Sequence, residues 1–335
     1  MSERVSIVGD GQMGIVLAWT LAQRGVPCAL WGPFERDLEA LRRERRSPRM
    51  PSIELPPSVE VTADAGAALA KCTIAVNAIP TQFIASAWKS VAPSLPRGAL
   101  LVSVAKGFEA GTHRLPSSVL RSAVGRAEST PVVVLTGPTI AAELARRLPA
   151  TMLAACADAD GALRVQAAFA APWIRIYTHD DPIGAEVAGA LKNVIAIAAG
   201  IVDGLELGFN AKSALLARGL VEMVRLGTAL GAKAETFFGI AGVGDLATTC
   251  FSPEGRNRSC GEALGRGETL ERHLASTRSV VEGVETARSV VQFARERAIE
   301  VPIMDAVSRI LFEGLPAREA IRELMTREPK EERIA

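Results

Sequence analysis

The chain has 335 residues, 48% hydrophobic and 22% charged, which is ample for a large core and suggests about two domains. Its formal net charge is +1, so no overall field steers it toward nucleic acid or an acidic membrane, and any anion must be recognised by a local cluster of charge. The cysteines (Cys28, Cys72, Cys156, Cys250 and Cys260) form no CxxC pair, and His113, His179 and His273 lie far apart; this speaks against a disulfide framework and against a structural metal site.

The chain enters an apolar run almost at once, at Val5–Val8, with no basic segment followed by an uncharged stretch. No signal peptide is expected, and a cytoplasmic location is the default. The runs Val5–Val8, Cys28–Trp31, Val59–Thr62, Ile74–Ala78, Leu100–Val104 and Val132–Thr136 are short and apolar, several bounded by Gly, Pro or Asn. Such runs predict parallel strands covered on both faces. Between the first two, Gly14–Arg24 predicts a helix with Ile15, Leu17, Ala18 and Leu21 on its apolar side. The alternation points to a doubly wound α/β domain. Arg42 to Pro57, rich in Arg and Pro, is expected as an exposed basic loop.

From about Pro182 the strand signal fades. Gly184–Asp203, Ser213–Leu230, Val281–Arg297, Ile303–Phe312 and Pro316–Met325 predict helices, with Pro316 in a first turn. The apolar stretch Val187–Val202 is interrupted by Lys192 and falls short of the ~20 residues of a membrane span, so it reads as a buried helix. The expected division is 1–181 and 182–335, the second part helical. The charged tail Arg327–Arg333 is expected to fray.

The turn after the first strand reads Gly9-Asp10-Gly11-Gln12-Met13-Gly14. Gly9 permits the tight turn, Gly11 lets the backbone approach a pyrophosphate, and Gly14 lets helix and strand pack closely. The helix N-terminus then offers its N–H groups to the anion. A strand before and a helix after raise this turn above a lone GxGxxG. NAD and NADP are not told apart: Gly32-Pro33-Phe34-Glu35-Arg36 places neither an acidic nor a basic residue at the strand tip, and Glu35 and Arg36, which come slightly late, read equally as groups that fold back to the ribose and as solvated charges at a helix start.

Lys106, Lys192 and Asp245 stand in apolar or Gly-rich surroundings. Lys106 follows directly on a strand, where ligands gather in open α/β sheets. Lys192 has Ala188, Ile195, Ala196 and Ala199 as helical neighbours, a costly setting for a lysine that is neither paired nor functional. Taken singly, Lys106 reads equally as a surface lysine, Lys192 as one that snorkels to solvent, and Asp245 as a helix cap. Taken together with a dinucleotide turn they read as a reaction centre, since a ketone that accepts hydride needs a proton and a lysine can donate it. Arg256 and Asn257 suit phosphate oxygens.

On these residues the chain resembles the bacterial-type NAD(P)-dependent glycerol-3-phosphate dehydrogenases. The resemblance runs from Val5 to about Arg327 and is carried by Ala105-Lys106-Gly107, Thr136-Gly137-Pro138-Thr139, Gly189-Ala190-Leu191-Lys192-Asn193, Gly242-Val243-Gly244-Asp245-Leu246, Gly255-Arg256-Asn257-Arg258 and Val281-Glu282-Gly283-Val284. It implies an N-terminal Rossmann doubly wound sheet followed by an all-α C-terminal domain, with the active site in the cleft between them. It implies interconversion of sn-glycerol 3-phosphate and dihydroxyacetone phosphate with NAD or NADP, supplying glycerol 3-phosphate for phospholipid synthesis. Lys192 then matches the proton donor or acceptor. Lys106, Gly137, Thr139, Asp245, Arg256 and Asn257 match substrate contacts. Gln12, Met13, Lys106, Ala141, Arg256, Val280 and Glu282 match cofactor contacts. A homodimer is compatible with the reading, and no metal, nucleic acid or membrane segment enters it.

The chain departs from the family at several places. Gln12 stands for a usual Ser, Met13 for an aromatic, Thr139 for a Ser, Gly255 for a Ser and Pro33 for a basic residue. Two rival readings remain: a related two-domain dehydrogenase for another hydroxy acid or phosphorylated alcohol, and a cofactor-binding sensor that has lost catalysis.

Overall fold

The computed structural model describes residues 3–277, 280–329 and 331–332. The chain divides into two units, Met1–Glu109 with Arg114–Pro182 and Ala110–His113 with Ile183–Ala335.

In the first unit each apolar run forms a strand: β1 (Val5–Val8), β2 (Cys28–Trp31), β3 (Val59–Thr62), β4 (Ile74–Asn77), β5 (Leu100–Ser103) and β6 (Val132–Thr136). The helices α1 (Gln12–Gln23), α2 (Glu35–Glu44), α3 (Ala65–Leu69), α4 (Ile84–Val91) and α5 (Pro116–Ala123) connect them. Every residue of β1, β2, β4, β5 and β6 is buried, which is why these strands lack the alternation of a half-exposed sheet. One apolar layer holds Leu17, Leu21, Val165 and Phe169; another holds Ile84, Trp88 and Leu120.

The sheet order is β3-β2-β1-β4-β5-β6-β7-β8. The order reverses beside β1, so the glycine turn lies at the topological switch point, where ligands of open α/β sheets bind. After α6 (Ala141–Ala145) come two strands that the sequence pattern did not suggest, β7 (Ala150–Ala155) and β8 (Ile174–His179), joined by α7 (Ala159–Phe169). β7 pairs antiparallel with β6, and β8 pairs parallel with β7. β7 is half alanine and carries little β-branched signal. β8 is an edge strand whose exposed Arg175, Tyr177 and Thr178 dilute its apolar side.

The segment expected as an exposed basic loop is a tethered one. Met50, Ile53 and Leu55 are at most 3% exposed and join the core around Leu38 and Val61. Arg45 donates to the carbonyls of Leu55, Pro56 and Val59, satisfying backbone groups that have no strand or helix partner. The apolar residues spaced among the prolines carry the segment inward.

The second unit is helical: α8 (Pro182–Gly204), α9 (Gly208–Ala229), α10 (Asp245–Phe251), α11 (Arg256–Gly265), α12 (Leu270–Ser276), α13 (Glu282–Glu296), α14 (Pro302–Phe312) and α15 (Ala317–Met325). Pro316 flanks α15 rather than opening its first turn. α8 is long and apolar enough to cross a bilayer, and its most apolar window is wholly buried within the protein. α8 and α11 meet backbone to backbone. A Cβ on Gly200 would lie 1.9 Å from the Arg258 carbonyl oxygen, and one on Gly261 would lie 1.9 Å from that of Ile197. The N-terminus of α14 is capped from α9, where Glu222 accepts from the N–H groups of Ile303 and Met304 at 2.7 and 3.0 Å. Burial pushes the Glu222 carboxyl up to about 7 against the pull of those two N–H groups. Part of the tail expected to fray, Lys330 and Arg333, lies outside the described residues.

Candidate active site

The glycine turn is built by close packing. Gly9 has φ +126°, and a Cβ there would lie 2.6 Å from the Ala78 carbonyl oxygen; one on Gly14 would lie 1.9 Å from that of Gly9. Neither position accepts a side chain. Gly11 is different, because a Cβ there would meet nothing within 4 Å. Its backbone borders open space at the N-terminus of α1, which has no side-chain cap. That space and those N–H groups fit a dinucleotide pyrophosphate. Gln12 is exposed and donates from Nε2 to the Arg49 carbonyl at 2.9 Å, while Met13 packs against the core.

The neighbouring parallel strands β5 and β6 deliver the next group. Lys106 Nζ lies 3.4 Å from the Gly137 carbonyl oxygen, which also accepts from Thr139 Oγ1 at 3.2 Å. Thr81 Oγ1 holds the Lys106 carbonyl at 2.7 Å. Ala141 opens α6 just beyond. The first unit thus brings Lys106, Gly137 and Thr139 together beyond the carboxyl ends of adjacent strands.

The second unit holds a buried polar cluster. Lys192 on α8 is 5% exposed and Asp245, the first residue of α10, is 2% exposed. Lys192 Nζ donates to Asp245 Oδ1 at 2.7 Å and to Thr249 Oγ1 at 2.5 Å. Lys192 does not snorkel to solvent, and the Asp245 carboxylate meets an ammonium; the bland readings of both residues are set aside. Asp245 follows a π-helical turn, Ile240–Gly244, a distortion that recurs at functional sites. Next to Lys192, Asn193 Nδ2 donates to Glu282 Oε2 at 3.4 Å. Asn257 Oδ1 accepts from the Gly283 N–H at 2.9 Å, so the start of α13 is tied to the start of α11. Arg256 is exposed, and its Nη1 donates to the Val280 carbonyl at 3.0 Å.

Sequence reasoning missed Thr249. It stands one helical turn after Asp245, with its hydroxyl also donating to the Asp245 carbonyl at 2.7 Å. The four-residue spacing on α10 was the available signal. The cysteines are all buried and free, and burial pushes the Cys28 and Cys250 thiols up to about 12.

The N-terminal profile of the NAD-dependent glycerol-3-phosphate dehydrogenases matches residues 4–162, and the C-terminal profile matches residues 181–322. The chain belongs to the NAD-dependent glycerol-3-phosphate dehydrogenase family. It is similar to glycerol-3-phosphate dehydrogenase (NAD(P)+) 2 of Salinibacter ruber, with 43% identity over 333 residues covering 99% of this chain and 97% of that one. The corresponding protein of Thermus thermophilus is 44% identical, covering 98% and 100%. The crystal structure of glycerol-3-phosphate dehydrogenase from Coxiella burnetii superposes with a TM-score of 0.91 at 33% identity, covering 97% and 99%. A ketopantoate reductase from Ralstonia eutropha, 18% identical with a TM-score of 0.61, shares the fold alone. Membership of the glycerol-3-phosphate dehydrogenase family makes the chain an oxidoreductase that works with a nicotinamide dinucleotide.

Proposed function

We propose that the chain interconverts dihydroxyacetone phosphate and sn-glycerol 3-phosphate, with Lys192 as the proton donor and acceptor. The observation that carries this reading is the buried ammonium of Lys192 held by Asp245 and Thr249. Asp245 and Thr249 lie on one short helix, which favours one direction for the ammonium. The reduced dinucleotide, when bound, supplies the hydride. Lys192 gives a proton to the oxygen that becomes the C2 hydroxyl, and takes it back in the reverse direction. Asp245 balances the positive charge and aims Nζ.

The phosphate falls to Arg256 and Asn257. Asn257 commits Oδ1 to the Gly283 N–H, which leaves its NH2 group as the donor for the phosphate. Arg256 anchors Nη1 on Val280 and offers its other N–H groups to phosphate oxygens. The family resemblance assigns Lys106, Gly137 and Thr139 to the substrate as well. The glycine turn assigns Gly9, Gly11 and Gly14 to the dinucleotide, and the family resemblance adds Gln12, Met13, Lys106, Ala141, Arg256, Val280 and Glu282.

The test is a spectrophotometric assay of dihydroxyacetone phosphate reduction by NADH and NADPH, run beside unphosphorylated dihydroxyacetone and a hydroxy-acid panel. Reduction of the phosphorylated ketone ahead of all others is expected. Faster turnover of an unphosphorylated substrate would replace this reading with a dehydrogenase of another specificity, and binding of dinucleotide without turnover would make the chain a sensor.

A further inference from the structure

The adenosine ribose of a dinucleotide sits at the tip of the second strand. An acidic side chain there accepts from the 2′-hydroxyl of NAD, and a guanidinium there holds the 2′-phosphate of NADP. In this chain Gly32, Pro33 and Phe34 follow Trp31, so β2 itself supplies no reader. A carboxylate reaches the place from elsewhere. A Cβ on Gly32 would lie 2.9 Å from Asp10 Cγ and 3.1 Å from Asp10 Cβ. The carboxyl of the glycine turn therefore rests on the end of β2, in the room that Gly32 leaves.

That carboxyl is held in place. Asp10 Oδ2 accepts from Arg49 Nη1 at 2.7 Å, and Arg49 Nη2 donates to Asp37 Oδ2 at 2.7 Å. Gln12 Nε2 fixes the Arg49 carbonyl. Among the described residues Asp10 Oδ1 accepts no hydrogen bond, and the side chain keeps 12% of its surface exposed. One guanidinium faces two carboxylates, so these three groups together carry −1, and the exposed Arg36 beside Asp37 is a further cation nearby in sequence. Arg42, on α2, is occupied by Glu35 at 2.7 Å.

We propose that Asp10 reads the adenosine 2′-hydroxyl, with Arg49 as its positioning residue, and that the enzyme consequently prefers NAD(H) to NADP(H). The proposal rests on the reading of the glycine turn as the dinucleotide site. A 2′-phosphate would meet the Asp10 carboxylate directly and would have to draw Arg49 away from Asp10 or Asp37. A ribose diol instead donates to the Asp10 oxygen that has no partner.

The experiment is a fluorescence titration of the full-length protein with NADH, NADPH and the NADH analogue that lacks the adenosine 2′-hydroxyl. Wild type and Asp10→Asn are compared, with thermal melting as the check on folding. NADH is expected to bind wild type at least about tenfold more tightly than NADPH or the analogue, the worth of one charge-assisted hydrogen bond. In Asp10→Asn that discrimination falls to within a few-fold. Arg49→Ala weakens NADH, and Arg49→Lys recovers part of the loss. Equal binding of NADH and the analogue to wild type would overturn the proposal without any variant. So would a preference for NADPH, or discrimination unchanged in Asp10→Asn. Failure of all three nucleotides to bind wild type would overturn the reading of the glycine turn itself, and this proposal with it.

Discussion

Lys192 Nζ lies 2.7 Å from Asp245 Oδ1, with the two side chains 6% and 2% exposed. A buried ion pair of this kind adds little net stability, because desolvation offsets the attraction, yet removing one partner strands a buried charge at a cost of about 3–5 kcal/mol. Stability alone therefore does not account for a lysine among the alanines of α8.

Lys192→Ala is expected to lower kcat about a thousandfold, in the range of lost general acid catalysis, while NADH affinity in a titration stays near wild type. The same variant melts at lower temperature because Asp245 is stranded. The double variant Lys192→Met, Asp245→Leu separates the two effects: its melting temperature recovers and its turnover does not. Near-normal turnover by Lys192→Ala would remove this residue from the chemistry.

Thr249 shares Nζ with Asp245. Thr249→Val keeps the shape and loses the acceptor, and kcat is expected to fall roughly tenfold, consistent with one lost hydrogen bond to a charged group. Thr249→Ser keeps the hydroxyl and should retain most of the activity. Equal kcat for the valine and serine variants would leave Thr249 with a packing role only.

Two glycines are expected to fail in opposite ways. Gly11 has φ −72° and open space beside it, so Gly11→Ala costs no more than about 1 kcal/mol as a poorer helix cap. Its methyl group enters the space assigned to the pyrophosphate, and dinucleotide affinity should drop by about tenfold or more. Gly261→Ala pushes a methyl into the Ile197 carbonyl, and overpacking of this kind costs about 1–3 kcal/mol. Melting curves and NADH titrations on both variants check the split.

Glu222 sets a pH dependence. Its carboxyl is raised from 4.5 to about 7 by burial, so the folded state holds a proton that the unfolded chain has released. The stability from this group is complete below pH 4.5 and is lost as pH rises through about 7. The Glu222→Gln variant, which cannot ionise, should show a flatter fall in urea midpoint between about pH 5 and about pH 8 than wild type. Parallel profiles would mean that Glu222 stays ionised in the fold.

Much of the fold was legible because burial on both faces writes itself as uninterrupted apolar runs, as at Val5–Val8 and Val132–Thr136. β7 and β8 escaped that rule, one through its alanines and the other through its exposed edge. The Arg42–Pro57 segment misled because Arg and Pro dominate its composition, whereas Met50, Ile53 and Leu55 decide where it goes. In the candidate site, Lys192 and Asp245 stood out as charges in apolar company, and the structure pairs them. Thr249 did not stand out, since a threonine on a helix is unremarkable until its neighbours are known. The Asp10–Arg49 pair was equally hidden, because it joins residues 39 positions apart and Arg49 lies in a segment outside the named helices and strands.

The contact of α8 with α11 has one more consequence. Where Gly200 and Gly261 meet the opposing backbones, no layer of side chains remains to be repacked. The spacing between Lys192, on one helix, and Arg256 and Asn257, at the start of the other, cannot drift by small substitutions. Under the roles proposed for these residues, that fixed spacing makes the second unit a ruler between the ketone carbonyl and the phosphate, selecting its substrate by length.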